Sequence, residues 1–405
     1  MSQRFVFEGV RVVDFSWVGV GPITAKYLAD HGAEVIRIDS LARPDPLRQA
    51  PPWADATPGL NRSQFYANFN TSKYGVSLDL SKPRGRELAK RLVARADIVI
   101  ESFTPRVMKN WGLDYPELVK IRPELIMLST CQQGQTGPHA QYPGYGNLMA
   151  ALAGFYDISG WPDRPPSPPY GAYSDFIVPR FAAAALIAAL DHRRRTGQGQ
   201  YIDVSQFEAA LQFLAPLILD YTVNGRVMTR RGNGDERMAP HGTYRCRGEA
   251  HWCVIAVAGD EEWQAFCQAI GAPAWTRDPR FATRESRLAH TEALDRYTEA
   301  WTMQYTPHEV MARLQTHGVA AGVVTTCTEL HRDPQLRHRG FFVELPHREM
   351  GPIPYDGLQF TLSKTPGALR WAAPCLGEHN EYVFKELLGL SEEAYVQLLI
   401  EEVIY

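Results

Sequence analysis

Through its first 130 residues the chain switches between two hydrophobic periods, and this alternation constrains the fold more than any other feature. Apolar runs suited to buried strands recur at Val10–Phe15, Glu34–Asp39, Gly75–Leu80, Asp97–Glu101 and Leu125–Ser129. Segments with helical spacing lie between them. One begins after Gly19, Gly21 and Pro22, with Pro22 placed as a first helical residue, and ends near Asp30 at His31-Gly32. Another starts at Ser81, read as its cap, and carries Leu88, Leu92 and Val93; two short helices precede the fifth run. Strands alternating with helices of this length form a parallel sheet covered on both faces. The expected class is α/β, with a Rossmann-like large domain.

The next region changes character. Gly134, Gly137, Pro138, Pro143 and Gly144 precede a short apolar helix near Asn147–Phe155, and the Pro-rich stretch Trp161–Tyr170 reads as extended. Phe176–Arg195 is a long Ala-rich helix that Gly197 stops; Arg193, Arg194 and Arg195 offset its dipole. A strand at Tyr201–Val204 leads into a helix over Ser205–Val223, with Ser205 and Glu208 spaced as a capping box. Asn224-Gly225 and the charged segment Arg230–Arg237 mark a boundary. Beyond it, a strand pair at Gly242–Cys246 and His251–Val257 is followed by helices at Glu261–Ile270 and Thr291–Tyr305. The expected organisation is a large domain over 1–224, completed by 330–405 with two terminal helices, and a smaller α+β domain over 225–329.

Composition narrows the function classes. Lys and Arg total 42 against 45 Asp and Glu, a net charge of −3, which argues against a nucleic-acid or anionic-membrane partner. The six cysteines show neither metal-ligand spacing nor a disulfide framework, so no metal is expected. Residues 1–12 lack the apolar core of a signal peptide, and the longest apolar run, Phe181–Leu190, is about half a membrane span. A soluble, cytoplasmic protein is expected. Gly19-Val20-Gly21 lacks the third glycine of a dinucleotide fingerprint, whose position is Thr24, so nicotinamide binding is not indicated. Asp175, between the Pro-rich stretch and the long helix, reads locally as an N-cap; a carboxylate held there is also poised for nucleophilic work.

A set of ordered blocks resembles the family III CoA transferases of the formyl-CoA, carnitine and benzylsuccinate type. These are Gly9–Asp14 with Gly21-Pro22, Gly32–Arg37, Ser77–Leu80, Glu101–Pro105, Gly134–Pro138, Pro143–Tyr145, Asp175, Arg195–Ser205 and Leu376-Gly377-Glu378-His379. The resemblance implies that Asp175 is the nucleophile, carrying CoA as an aspartyl thioester. It implies a CoA groove lined by Val18, Gly19, Val20, Leu78, Phe103, Thr104, Pro105 and Tyr145, with Lys73, Arg106 and Lys109 supplying positive charge. Gly19, Gly21 and Gln132–Gln135 are candidate oxyanion donors. No permanently bound cofactor is implied, coenzyme A arriving as acyl-CoA.

Arg237 and His241 would suit the second carboxylate of a dicarboxylic acceptor such as malate or benzylsuccinate, with a succinyl-CoA-like donor. Related α-methylacyl-CoA racemases carry a histidine in a Gly-His-Asp triplet; Gly144-Tyr145-Gly146 stands here, and a phenol of pKa ~10 is a poor general base. The transferase reading is therefore preferred over the racemase. Family members form dimers of interlocked rings, and some pair two homologous subunits, so a homodimer or a hetero-oligomer is implied.

Overall fold

The computed structural model describes residues 5–405, which divide into two compact units. Of the described residues, the larger comprises 5–156, Pro168–Val227 and Gln335–Tyr405; the smaller comprises Asp157–Ser167 and Met228–Pro334. Most of the Pro-rich stretch therefore groups with the smaller unit rather than with the first domain.

In the larger unit six strands form one sheet: β1 (Arg11–Asp14), β2 (Glu34–Asp39), β3 (Tyr74–Ser77), β4 (Ile98–Glu101), β5 (Ile126–Cys131) and β6 (Tyr201–Ser205). Their order is β3-β2-β1-β4-β5-β6 and every pairing is parallel. Helices α1 (Val20–Asp30), α2 (Pro83–Val93), α3 (Arg106–Trp111), α4 (Gly146–Leu152), α5 (Tyr173–Thr196), α6 (Gln206–Leu211) and α7 (Ala215–Asn224) accompany it. Alternate strand residues bury opposite faces. Val13, Ile36, Val99 and Met127 pack with Leu88, Leu92 and the terminal residues Val383, Phe384 and Leu398. Val12, Val35, Ile98 and Leu128 pack instead with Leu28 of α1 and Ala182, Leu186 and Ala189 of α5. By length and composition α5 is apolar enough to cross a membrane, yet half of that stretch is buried in this core, the place of an interior helix.

The closing sequence motif explains how the tail returns. Asn380 Oδ1 accepts from Ser77 N–H at 2.9 Å, His379 N–H donates to Gly75 O at 2.9 Å, and Asp79 N–H donates to Val403 O at 2.8 Å. These bonds cover the edge strand β3, which would otherwise offer unpaired backbone groups to solvent.

Three local expectations change. Helix α2 starts at Pro83 rather than at Ser81, because the residue before a proline is driven to extended backbone; Lys82 sits there at φ −86°, ψ 138°. The helix expected over Ser205–Val223 divides into α6, a 3₁₀ turn at Gln212–Leu214 and α7, with Pro216 in the first turn of α7. Ser205 does cap α6, accepting from Glu208 N–H. The tail also carries an antiparallel hairpin, Phe342–His347 with Gly351–Asp356, that the sequence reading did not include.

The smaller unit holds a three-stranded antiparallel sheet of His241–Arg245, Trp252–Ala256 and Ala320–Val323. Helices Asp260–Ala269, Thr291–Thr302 and Pro307–Thr316 surround Trp263, Phe266, Phe281, Leu294, Val310 and Leu314. Arg287 is buried in this core with its guanidinium over the Trp263 ring, and donates to Asp260 and to Ala239 O.

Beneath the ends of β1 and β2 lies a buried ion network. Lys73 Nζ reaches Asp14 Oδ2 at 3.0 Å, Pro22 O and Asn70 Oδ1 at 2.9 Å each; Arg37 bridges Asp14 at 3.5 Å and Asp45 at 2.6 Å; Arg48 meets Asp39 at 2.6 Å. Burial alone would raise the Asp14 carboxyl, but the Lys73 ammonium and Arg37 guanidinium outweigh it and hold Asp14 below its usual value. Removing one partner leaves a buried charge uncompensated. Lys73→Met is therefore expected to destabilise the protein by about 3–5 kcal/mol, read from urea unfolding followed by circular dichroism, with the Asp14→Asn/Lys73→Met pair losing much less.

Candidate active site

In an open parallel sheet, ligands settle beyond the C-terminal strand ends where the strand order reverses. Here that point lies between β1 and β4, and a cleft of about 820 Å³ opens there. The loop after β1 contributes Trp17, Val18, Gly19 and Val20; the turn after β4 contributes Ser102, Phe103 and Thr104. Gln132, the Tyr142–Gly146 segment, Asp175 and Gln206 complete the reacting end. Trp17 meets Phe103 edge-on at 5.3 Å, and Phe103 meets Trp111 at 5.4 Å, giving one aromatic wall.

Asp175 is the third residue of α5, not its cap. The helix begins at Tyr173, with Ala172 in the cap position and no side-chain capping bond. The carboxylate instead faces the cleft floor, where Oδ1 accepts from Gln206 Nε2 at 2.5 Å. Burial pushes its pKa up to about 6 against the opposing pull of the Gln206 hydrogen bond. Pro179, four residues on, has no N–H to offer the Asp175 carbonyl, so the first turn of α5 lacks one rung of its ladder.

Two glycines enclose the carboxylate. A Cβ at Gly146 would stand 2.5 Å from Asp175 Oδ1 and 2.8 Å from Ala172 Cβ, and a Cβ at Gly19 would stand 3.0 Å from Asp175 Cβ. A side chain at Gly146 would displace the Asp175 carboxylate, and one at Gly19 would press closely against it. Ser174 Oγ donates to Gly146 O at 2.9 Å, fastening the start of α4 to the start of α5. Gly21 serves the loop itself, since a Cβ there would come within 2.1 Å of Ser16 Cβ. At the start of α1 the N–H groups of Gly19 and Val20 find no acceptor among the described residues, as expected of a helix's first turn.

A profile described as CoA-transferase family III matches residues 7–380. The succinyl-CoA–D-citramalate CoA-transferase of Chloroflexus aurantiacus is 34% identical over 397 residues, covering 98% of each chain. The alpha subunit of a succinyl-CoA–L-malate CoA-transferase from that organism is 30% identical, covering 100% of this chain and 94% of its own. A crystal structure of a CAIB/BAIF family protein from Brucella suis superposes with a TM-score of 0.88 at 31% identity, over 95% of this chain and 100% of that one.

The chain belongs to the family III CoA transferases.

In this transferase Val18, Gly19, Val20, Leu78, Phe103, Thr104, Tyr145 and Asp175 all line one cleft. The expected cations are placed otherwise. Lys73 is wholly buried in the ion network, its charge satisfied by Asp14, so it is a framework residue and not a phosphate contact. Arg106 and Lys109 are exposed on α3 but do not line the cleft, to which that helix presents Val107 and Trp111; Pro105 precedes them as the helix cap position. Arg43, which the sequence reading missed, is the one cation among the described residues of the cleft wall, and lies over the Trp17 ring at 5.6 Å. Gln206 was likewise missed, although it directly follows the Ser205 cap. Of Gln132–Gln135, Gln132 lines the cleft, whereas Gln135 N–H donates to Asp203. Arg237 and His241 belong to the smaller unit, where His241 Nδ1 lies 2.7 Å from Asn233 O.

Glu101, at the end of β4, is buried and raised to about 7, principally by burial, while accepting from Phe103 N–H at 2.7 Å. That bond shapes the turn carrying Phe103 and Thr104 into the cleft.

Burial of the Asp175 carboxyl couples its ionisation to the stability of the fold. Folding favours its protonated form, so ionisation destabilises the protein above about pH 6, and that penalty disappears as the pH falls towards the ordinary value of 3.8. Asp175→Asn is expected to melt at a higher temperature than the parent at pH 8, with the gap closing as the pH approaches 4, in thermal unfolding scans.

Proposed function

We propose that this CoA transferase moves CoA from a succinyl-CoA-like donor to a dicarboxylic acid through an aspartyl-CoA thioester on Asp175. The observation that carries this reading is the buried, cleft-facing Asp175 carboxylate, enclosed by two glycines and held by one Gln206 hydrogen bond. One carboxylate oxygen attacks the donor carbonyl carbon; the C–S bond breaks and CoA leaves as thiolate, giving a mixed anhydride. The thiolate attacks the Asp175 carbonyl carbon and expels the donor acid as its carboxylate. An acceptor carboxylate then attacks the aspartyl thioester, and the thiolate returns to the acceptor carbonyl, freeing Asp175.

Thioester is exchanged for thioester throughout, so no external energy source enters. Holding the thiolate beside the anhydride is where the site gains most, since well-oriented intramolecular reactions recover about 7–11 kcal/mol. The free N–H groups of Gly19 and Val20 at the start of α1 suit the developing oxyanion, each such donor contributing about 3 kcal/mol. The Trp17–Phe103–Trp111 wall suits the apolar and aromatic parts of CoA, and Arg43 suits its phosphates.

The names of the two relatives support succinyl-CoA as donor, with citramalate and malate as model acceptors. Among the described residues no acid pairs with the Arg237 guanidinium, which supports a role for it, with His241, in holding the acceptor's second carboxylate. A racemase reading loses support because no histidine lines the cleft among the described residues.

A second copy, or a homologous subunit of the kind named in the L-malate relative, completes the proposed assembly as interlocked rings. In support, α7 buries none of its ten residues and exposes Ile218, Leu219, Tyr221 and Val223, beside Phe213 and Val227. Six free cysteines support a reducing, cytoplasmic setting.

Three outcomes are expected. With succinyl-CoA and a panel of dicarboxylic acids, CoA exchange read by mass spectrometry is abolished by Asp175→Ala and falls in the parent as the pH drops below about 6. Hydroxylamine added during turnover leaves a hydroxamate on the Asp175 peptide; an unmodified peptide in an actively exchanging sample excludes the covalent route. Light scattering at micromolar concentration gives twice the mass of the 45.5 kDa chain, and a stable, active monomer contradicts the assembly.

A further inference from the structure

Three consecutive backbone N–H groups after β1 are each taken by a side-chain oxygen from a different part of the larger unit. Ser16 N–H donates to Asp14 Oδ1 at 3.0 Å, and Trp17 N–H donates to Ser102 Oγ at 2.8 Å. Val18 N–H is shared between the two Asp45 oxygens at 3.3 and 3.2 Å. The third of these differs from the others in what it holds. Val18 has φ 62°, a left-handed conformation that a β-branched side chain resists. Such outliers persist only where their surroundings over-determine them, and they concentrate at functional sites.

Asp45 is built to supply that hold. It is fully buried, fixed by Arg37 at 2.6 Å, and accepts in addition from Leu47 N–H at 2.9 Å. The next residue along, Gly19, packs against the Asp175 side chain, and Gly19 and Val20 present their unpartnered N–H groups at the start of α1. Were Val18 to relax to negative φ, the peptide plane between Val18 and Gly19 would turn, and the Gly19 N–H with it.

We infer that Asp45 is a positioning residue for transfer: by gripping Val18 N–H it keeps that residue left-handed and so sets the Gly19–Val20 amides against Asp175. The inference rests on the proposed role of Asp175. Asp45 touches no reacting atom, and its pairing with Arg37 would serve the framework whatever Val18 did. The distinction lies in the backbone of residue 18. Glycine adopts left-handed φ without steric penalty, so a loop with glycine there needs the grip less.

The test is a double-mutant cycle of Asp45→Leu, which offers no acceptor, and Val18→Gly, with kcat and KM for CoA transfer from succinyl-CoA measured separately and thermal unfolding recorded for all four proteins. Asp45→Leu is expected to lower kcat at least tenfold when residue 18 is valine and less than threefold when it is glycine. An equal loss of kcat in both backgrounds overturns the inference, as does a cycle in which only the unfolding temperatures couple, because Asp45 then serves the framework alone. If Asp45→Leu does not fold with valine at 18, the same comparison is made with Val18→Asn as the parent, since asparagine also tolerates this conformation; undiminished dependence on Asp45 there overturns it too. A parent protein that folds but exchanges no CoA with any donor removes the functional reading itself, an outcome distinct from a failed cycle in an active enzyme.

Discussion

The Asp14 carboxylate, clasped between the Lys73 ammonium and the Arg37 guanidinium with no exposure to solvent, is the interaction on which the rest of this structure leans. It joins the end of β1 to the middle of β2 and to the segment just before β3. Through Arg37 it extends to Asp45, and a parallel pair, Arg48 with Asp39, lies alongside. Three acids and three cations thus balance in an interior that could not hold an unmatched charge. Networks of this kind add little net stability compared with a well-packed apolar core, because desolvation consumes most of the attraction. What this one provides is a fixed geometry: the loop after β1 is anchored at Ser16 by Asp14 and at Val18 by Asp45, and that loop forms one wall of the cleft.

Much of the larger unit was legible in the sequence because its signals are local. Val10–Phe15 and Glu34–Asp39 are short, apolar and bounded by turn residues, and both contain the strands observed. Gly197 stops the long helix in a left-handed conformation, as its place after three arginines suggested. The hairpin at 342–356 escaped notice because Pro346, Pro352 and Pro354 interrupt its apolar alternation. Each of its strands has only one partner, so a proline can turn its missing donor outward, a freedom no central strand has. Ala320–Val323 escaped for the opposite reason: Ala-Ala-Gly-Val carries little strand preference, and its pairing with Trp252–Ala256 decides the matter.

The site was legible only in part, and the division is physical. Local chemistry made Asp175 a helix cap; resemblance made it a nucleophile; the structure turns its carboxylate away from the helix end towards Gln206, 31 residues on. Nothing within a window of sequence reveals that Lys73 is consumed by an acid 59 residues earlier, or that Arg43 lies over Trp17 in the cleft wall. Glycines 19 and 146 stood in plain view as turn residues. Their second property, that a methyl group would clash with Asp175 at Gly146 and crowd it at Gly19, exists only once distant segments meet.

The chemistry asks for little more than this arrangement supplies. Exchange of CoA between two carboxylic acids has no large free-energy difference to overcome, so an acid–base pair to drive protons in and out is not required. The proposed route asks instead for a carboxylate that remains ionised near neutral pH yet is more basic than a solvated one, and burial that raises the Asp175 carboxyl to about 6 meets both conditions. The same burial would be self-defeating if side chains crowded the carboxylate, because on the proposed route a thioester with CoA forms on it. Glycine on both sides answers that constraint, and the backbone amides that glycine leaves accessible are donors that need no titration of their own. A site assembled from one carboxylate, one carboxamide and bare backbone is thus matched to a reaction whose difficulty is positional, not energetic.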